Sequence, residues 1–219
     1  MVDIFDEVEE ELRAERAQKL LKRYAGLILG AALAIVAAAA GWQAWRYWQA
    51  KQDMAAAVRF VSASSLADSA RTDTVKRQAA FADLESLAAS APEGYRTLAR
   101  LRAAALQEDA GDITGAAQLW DQVAADSSAD SLLRDLASLL WASSQIDRAD
   151  PALLEARLKG LVTPGNPWAA MAEEQLAVLD LRRGRTQEAK TALQKLSADA
   201  AAPNGVRTRA AGLLSRLGG

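Results

Sequence analysis

Histidine and cysteine, the side chains that most often serve as nucleophile, base or metal ligand, are both absent from this 219-residue chain. A Ser-His-Asp triad, a thiol nucleophile, a CxxC redox pair and a Cys/His zinc site are therefore excluded. Serines and carboxylates remain, clustered in SASS (62–65), EDAGD (108–112), SSAD (127–130) and DRAD (147–150). These clusters are typical of helix caps and solvated turns. No GxxxxGK[ST], GxGxxG or DxDxDG loop occurs, so we expect no enzyme, no metal site and no cofactor.

The elements that carry these residues are predicted to be helical. The chain is rich in alanine and leucine and has only five prolines, and strand-like alternation is not seen. Residues 1–23 carry five basic and seven acidic side chains, and the remainder has a net charge of zero. Such a neutral body has no excess of basic residues for a phosphate backbone, so we expect no nucleic-acid partner. We predict an all-α protein.

Residues 24–45 form an apolar run of 22 residues without a formal charge, YAGLILGAALAIVAAAAGWQAW. As a helix this run extends for about 33 Å, close to the ~30 Å hydrocarbon core of a bilayer. A buried helix of a soluble protein is the alternative. Amphipathic rings bracket the run, as they do at the two membrane interfaces: Tyr24, Trp42, Trp45, Tyr47 and Trp48. The sequence therefore predicts a transmembrane helix with an aromatic belt.

Basic residues near the two ends of the run predict its orientation. Five precede it and three follow within a similar distance: Arg13, Arg16, Lys19, Lys22 and Arg23, then Arg46, Lys51 and Arg59. This bias places the N-terminus in the cytoplasm and the large domain outside. A signal peptide cleaved at AAAAG (37–41) is the alternative, but the apolar region is long and over twenty residues precede it. We predict a cytoplasmic tail (1–23), a retained signal anchor (24–45) and an exported domain (46–219).

Small residues in the anchor and an apolar stripe in the tail are possible contact surfaces. Gly26 and Gly30 form a GxxxG motif, extended by Ala34, where another helix could approach closely; small residues facing lipid are the alternative. In the tail, one helical stripe predicts an amphipathic helix lying near the membrane, with partner docking as the alternative. The stripe consists of Ile4, Phe5, Val8 and Leu12.

The exported domain reads as a series of helices with short breaks. Met54, Val58, Val61 and Leu66 give its first helix one apolar face. Further helices are expected to start at Asp150–Pro151 and at Asn166–Pro167, where a cap is followed by proline.

Two stretches of the domain repeat at an offset of 73 residues, which aligns Gly111 with Gly184. This offset is about twice the ~34-residue tetratricopeptide period, and a less regular unit, residues 130–162, lies between them. The offset also aligns Ala116 with Ala189, and Trp120 with Leu193.

Small residues of the repeats fit a tetratricopeptide-like α-solenoid of stacked helical hairpins. Ala177 and Ala189 are expected where two helices cross, with Gly184 at the turn; Gly111 and Ala116 are the matching residues of the earlier repeat. A solenoid of this kind presents a curved binding surface. Trp120, Trp141 and Trp168 could line it, although their periodic apolar neighbours favour the interhelix core.

The order of these parts resembles the YfgM-like family of ancillary subunits of the bacterial Sec translocon. The resemblance rests on the charged tail, the Gly/Ala-rich span, the exit GW…RYW (41–48) and the hairpin PWAAMAEEQLAVLDLRRGRTQEAKTAL (167–193). It implies a single-pass inner-membrane protein with a periplasmic domain. It also implies association with SecYEG and with a PpiD-like membrane-anchored peptidyl-prolyl isomerase, and a chaperone-like role for newly exported proteins. A scaffold of another inner-membrane complex, contacting it through the span, is the alternative.

Overall fold

The computed structural model describes residues 4–70 and 72–218; in the first helix, side chains are described at 18, 19 and from 22 onward. The stripe expected of Ile4, Phe5, Val8 and Leu12 lies outside these side chains. Every regular element within the described residues is an α-helix, which confirms the all-α fold. The helices are α1 (Ile4–Ser69), α2 (Thr74–Ser90), α3 (Glu93–Asp109), α4 (Ile113–Ala125), α5 (Ser131–Ser144), α6 (Pro151–Leu161), α7 (Ala169–Arg182), α8 (Thr186–Ala198) and α9 (Asn204–Arg216).

Short aspartate caps begin several of these helices. Asp150 accepts hydrogen bonds from the backbone N–H groups of Ala152 (2.8 Å) and Leu153 (3.1 Å), and Pro151 is the first helical residue. The start predicted at Asn166–Pro167 is wrong by two residues, because α7 begins at Ala169. The Asn166 carboxamide accepts from the Trp168 N–H (3.0 Å) and so stabilises a turn ahead of the helix.

The chain divides into two units, Met1–Gln52 and Asp53–Gly219. In the second unit, each helix from α2 to α9 packs against the next along the chain, within the described residues. Contacts also join α3 with α5, α5 with α7, and α7 with α9. Packing on the next helix and on the next but one is the pattern of stacked helical hairpins.

The core of the second unit runs through this stack as three apolar clusters. The first lies where the end of α1 meets α2 and α3, the second extends from α3 to α7, and the third joins α7 to α9. Alanine and leucine supply most of the buried side chains. Small alanines let helix axes approach closely while the leucines fill the remaining space.

The face that α1 buries in this unit differs from the expected one. Ala63 and Ala67 lie in the first apolar cluster, whereas Met54, Val58 and Val61 are exposed. The apolar periodicity correctly marks a helix, and Leu66 of the expected face packs partly buried against this cluster together with Phe60. Met54, Val58 and Val61 do not, and they are left without a cover in the described structure.

Candidate protein-interaction surface

The repeated hairpins turn through glycines with left-handed backbone conformations. Gly111 ends the α3–α4 turn at φ +85°, and Gly184 lies in the α7–α8 turn at φ +76°. Their hydrogen bonds match at the same offset: the Asp112 N–H donates to the Gln107 carbonyl, and the Arg185 N–H to the Asp180 carbonyl, each at 2.9 Å. These bonds close a Schellman-type turn, in which an L-residue with a Cβ would be strained.

Buried alanines occupy matching positions in the two hairpins. Ala104 and Ala116 of the first hairpin and Ala177 and Ala189 of the second are all fully enclosed. A larger side chain at any of these positions has to displace its neighbours. Their burial is what close packing of two helices in a hairpin requires.

An ion pair with one buried partner, Glu174, distinguishes the last repeat from the earlier one. Arg209 of α9 donates through Nε and Nη2 to the Glu174 carboxylate of α7, at 2.7 and 2.6 Å. This hydrogen bonding raises the pKa of Arg209. At the 73-residue offset the aligned positions are Leu101 and Leu136, so two charged residues stand where the earlier repeat has two leucines. The pair lines an open cavity of about 360 Å³ at the end of the stack, where a terminal repeat meets solvent.

A second group of charges links α6 to the turn of the last hairpin. The Glu155 carboxylate is paired with Lys159 at 2.7 Å and with Arg183. Hydrogen bonds from Lys159 and then Arg183 lower the pKa of Glu155 to about 2. These ion pairs lie near the surface and join α6 to the end of α7. No cluster of acidic side chains able to hold a metal ion occurs among the described residues.

The tryptophans of the domain belong mainly to its core. Trp120 and Trp141 are buried in the second apolar cluster, and Trp168 is partly buried against it. The Arg157 guanidinium lies over the Trp141 ring, 4.1 Å from its centroid. The Trp168 indole N–H donates to the Leu132 carbonyl at 2.9 Å. Trp120 and Trp141 therefore act in packing, which leaves recognition to other residues.

An open groove lies where α2 and α3 meet. It has a volume of about 500 Å³ and adjoins a second cavity of about 430 Å³, with which it shares Arg77 and Leu106. We name it the α2–α3 groove, lined by Thr74, Arg77, Gln78, Phe81, Leu106, Gln107 and Ala110. Apolar side chains with amides beside them suit an extended peptide, whose side chains need apolar contacts and whose backbone needs hydrogen-bond partners.

Sequence reasoning missed the α2–α3 groove. Arg77, Gln78 and Phe81 occupy neighbouring turns of α2, but their partners Leu106 and Gln107 belong to α3. Only the packing of the two helices brings them together. The exposed amide Gln78, one turn before the partly buried Phe81, is the one local signal for it.

The first unit carries the predicted membrane residues on an exposed helix. Among the described residues, the helix from Lys22 to Ser69 is long and apolar enough to cross a membrane. The belt residues are all exposed there: Tyr24, Trp42, Trp45, Tyr47 and Trp48. Ala34 is exposed too, and a Cβ added to Gly26 or Gly30 would meet no described atom within 4 Å. The GxxxG face thus has room for a neighbouring helix.

Comparison with known proteins places the chain in a family. Searches among curated proteins and among solved structures give no significant match. A family model described as a tetratricopeptide repeat-like domain matches residues 18–209. The match starts within α1 and includes every hairpin described above. The chain therefore belongs to the tetratricopeptide repeat-like domain family.

Proposed function

We propose that this chain is a non-enzymatic, membrane-anchored protein-interaction module, an ancillary subunit of the bacterial inner-membrane translocon that assists newly exported proteins. One observation carries the proposal: the matched family domain, residues 18–209, contains both the apolar helix and the stacked hairpins. Helical-repeat domains of this kind typically bind proteins. An anchor on the same domain confines that binding to one face of a membrane.

The layout proposed for the chain is a cytoplasmic tail (1–23), a span (24–45) and a periplasmic domain (46–219). It is supported by the exposed aromatic side chains at the ends of the apolar run and by the excess of basic residues before it. The lipid bilayer is then the first partner of α1. The domain stays close to the point where exported chains emerge.

The α2–α3 groove is the proposed site for an emerging chain. Phe81 and Leu106 offer apolar contacts, and Gln78 and Gln107 offer amides to the peptide backbone. Such a site takes many sequences, because amides pair with any peptide bond and apolar contacts are not directional. Confinement to the membrane raises the effective concentration of the chain, so weak binding suffices.

SecYEG and a PpiD-like isomerase are the proposed stable partners. They follow from the resemblance of the tail, span and last hairpin to the YfgM-like family. A subunit that delivers a groove to the channel exit, beside an isomerase, would keep an emerging segment unfolded until a folding catalyst reaches it.

A scaffold subunit of a different inner-membrane complex is the second candidate. The open space beside Gly26 and Gly30 favours it, since no described atom lies within 4 Å of a Cβ at either glycine and small residues let a partner helix approach closely. In that case the binding energy lies in the span and the groove is incidental.

Exchange of the span separates the two candidates. Residues 24–45 are replaced by an unrelated transmembrane helix, and a second variant, Gln78→Trp, fills the groove. Ala79→Trp, exposed on α2 but outside the groove lining, is the matched control. Partners are then identified after purification in mild detergent.

We expect the span exchange and Ala79→Trp to retain exported chains and translocon subunits, and Gln78→Trp to lose the exported chains. Loss of all partners on span exchange alone would favour the scaffold. Unchanged partners in every variant would contradict the interaction-module proposal.

A further inference from the structure

Helix α1 has two apolar faces in the unit Asp53–Gly219, and one of them is outside. Ala56, Ala63 and Ala67 are buried. Met54, Val58 and Val61 are 72%, 63% and 65% exposed. Phe60 and Leu66 pack partly buried on the same side as these alanines, so the inner face already has large apolar side chains of its own. The exposed stripe is additional apolar area, and burying it against a partner would be favourable.

The spacing of this stripe is that of a coiled-coil seam. Met54 to Val58 is a step of four and Val58 to Val61 a step of three, which places them at d, a and d of a heptad. In sequence the same spacing of three and four continues toward the N-terminus, first through the charged Lys51 and then through uncharged residues. Its members are Lys51, Tyr47, Ala44, Ala40, Ala37, Leu33, Gly30 and Gly26. A seam of this length fits another helix with the same repeat.

We propose that α1 pairs with α1 of a second copy of this chain, in parallel and in register, through the seam Met54–Val58–Val61. Positions beside these residues are small and uncharged: Ala55, Ala57, Ser62 and Ser64. Two identical helices can therefore approach without like charges meeting at the flanks. Parallel orientation rests on the proposed anchor, which inserts both copies the same way.

Two residues set the partner number and the extent of the seam. Lys51 falls on an a position of the heptad. A single polar residue at such a position specifies the register and the number of helices in a coiled coil, at a cost in stability. It is tolerated best between two helices, where its charged end can still reach water. At the other end, Asp68 is on a d position but accepts a hydrogen bond from Arg102 of α3 at 2.5 Å. The seam thus ends between Val61 and Asp68. The buried alanine face keeps α2 and α3 away from it.

Cysteine cross-linking in membranes tests the pairing directly, because the natural chain has no cysteine. Single-cysteine full-length chains are made at Met54, Val58 and Val61. Gln52→Cys is the control: it is exposed on the same helix but at a b position, away from the seam. Two differently tagged copies of each variant are produced together at low level, oxidised in native membranes and examined for a species carrying both tags.

The proposal expects M54C, V58C and V61C to give a doubly tagged disulfide dimer, at several-fold higher yield than Q52C. It also expects Val58→Lys, which places a second lysine at an a position, to reduce recovery of one tagged copy with the other. Equal yields at seam and control positions would overturn the proposal. So would no doubly tagged product, or cross-links formed only with a different protein, because the occupant would then not be a second copy. If the seam cross-links form but the protein does not bind exported chains, the proposed function is wrong and the pairing of α1 still holds.

Discussion

Substitution of Arg209 by leucine tests whether the last repeat replaces an apolar pair with a charged one. The Glu174 side chain is only 6% exposed and depends on two hydrogen bonds from Arg209. Arg209→Leu leaves this carboxylate enclosed without its partner. Glu174→Leu leaves Arg209, whose side chain is 57% exposed and can turn to water.

The size of the effect follows from these exposures. Breaking a fully buried ion pair costs about 3–5 kcal/mol. Because water reaches the Arg209 side, we expect about 2 kcal/mol for Arg209→Leu and less for Glu174→Leu. In a chain of this size that corresponds to a fall in Tm of about 4–8 °C. The double variant E174L/R209L reproduces the aligned pair Leu101 and Leu136, and we expect it to regain most of the loss.

The assay is thermal unfolding of the full chain in mild detergent, followed by circular dichroism. Arg216→Leu is the matched control, because it removes an exposed arginine from the same helix. A lower Tm for the arginine variant than for the glutamate variant, with recovery in the double variant, supports the reasoning. If the double variant is as unstable as R209L, or if R209L melts like R216L, the pairing has no such role.

Three further outcomes are expected. Ala189→Leu overpacks a fully buried site and should cost about 1–3 kcal/mol in the same melting assay, while Ala198→Leu at an exposed site changes little. The pKa of Glu155 is lowered from 4.5 to about 2, so the stability that its ion pairs contribute is complete above pH 4.5 and is lost as the pH falls toward 2. Glu155→Gln should therefore lower Tm at neutral pH, and the Tm difference between the variant and the natural chain should disappear between pH 4.5 and about 2. A reporter active only in the cytoplasm, fused after Gly219, should be silent, and activity would reverse the proposed topology.

Local features of the fold could be predicted from the sequence because their causes are local. Asp150 followed by Pro151 specifies a helix start through its own hydrogen bonds and through the fixed φ of proline. The 73-residue offset, based on Gly111 and Gly184, also locates matching turns. Each of these depends on a few neighbouring residues.

Features that depend on how helices meet could not be predicted in the same way. The ion pair of Glu174 with Arg209 joins residues 35 positions apart, and each alone reads as a solvated charge. The α2–α3 groove forms only because packing of α2 on α3 places Phe81 near Leu106, and the sequence does not give that placement. On α1 the apolar pattern grouped Met54, Val58 and Val61 with Leu66, but of these only Leu66 packs on the first apolar cluster. Small alanines that let the helices approach closely supply much of the remaining contact.

Site-specific photo-cross-linking can show whether the α2–α3 groove binds an exported chain. A photoreactive amino acid is placed at Gln78, or at Ala79 as the control, in otherwise unaltered full-length chain. Membranes are then irradiated with an exported protein stalled during its translocation. We expect an adduct with the stalled chain from Gln78, several-fold stronger than from Ala79 and absent with a stalled cytoplasmic protein. Equal adducts at both positions, or none at Gln78, would contradict it.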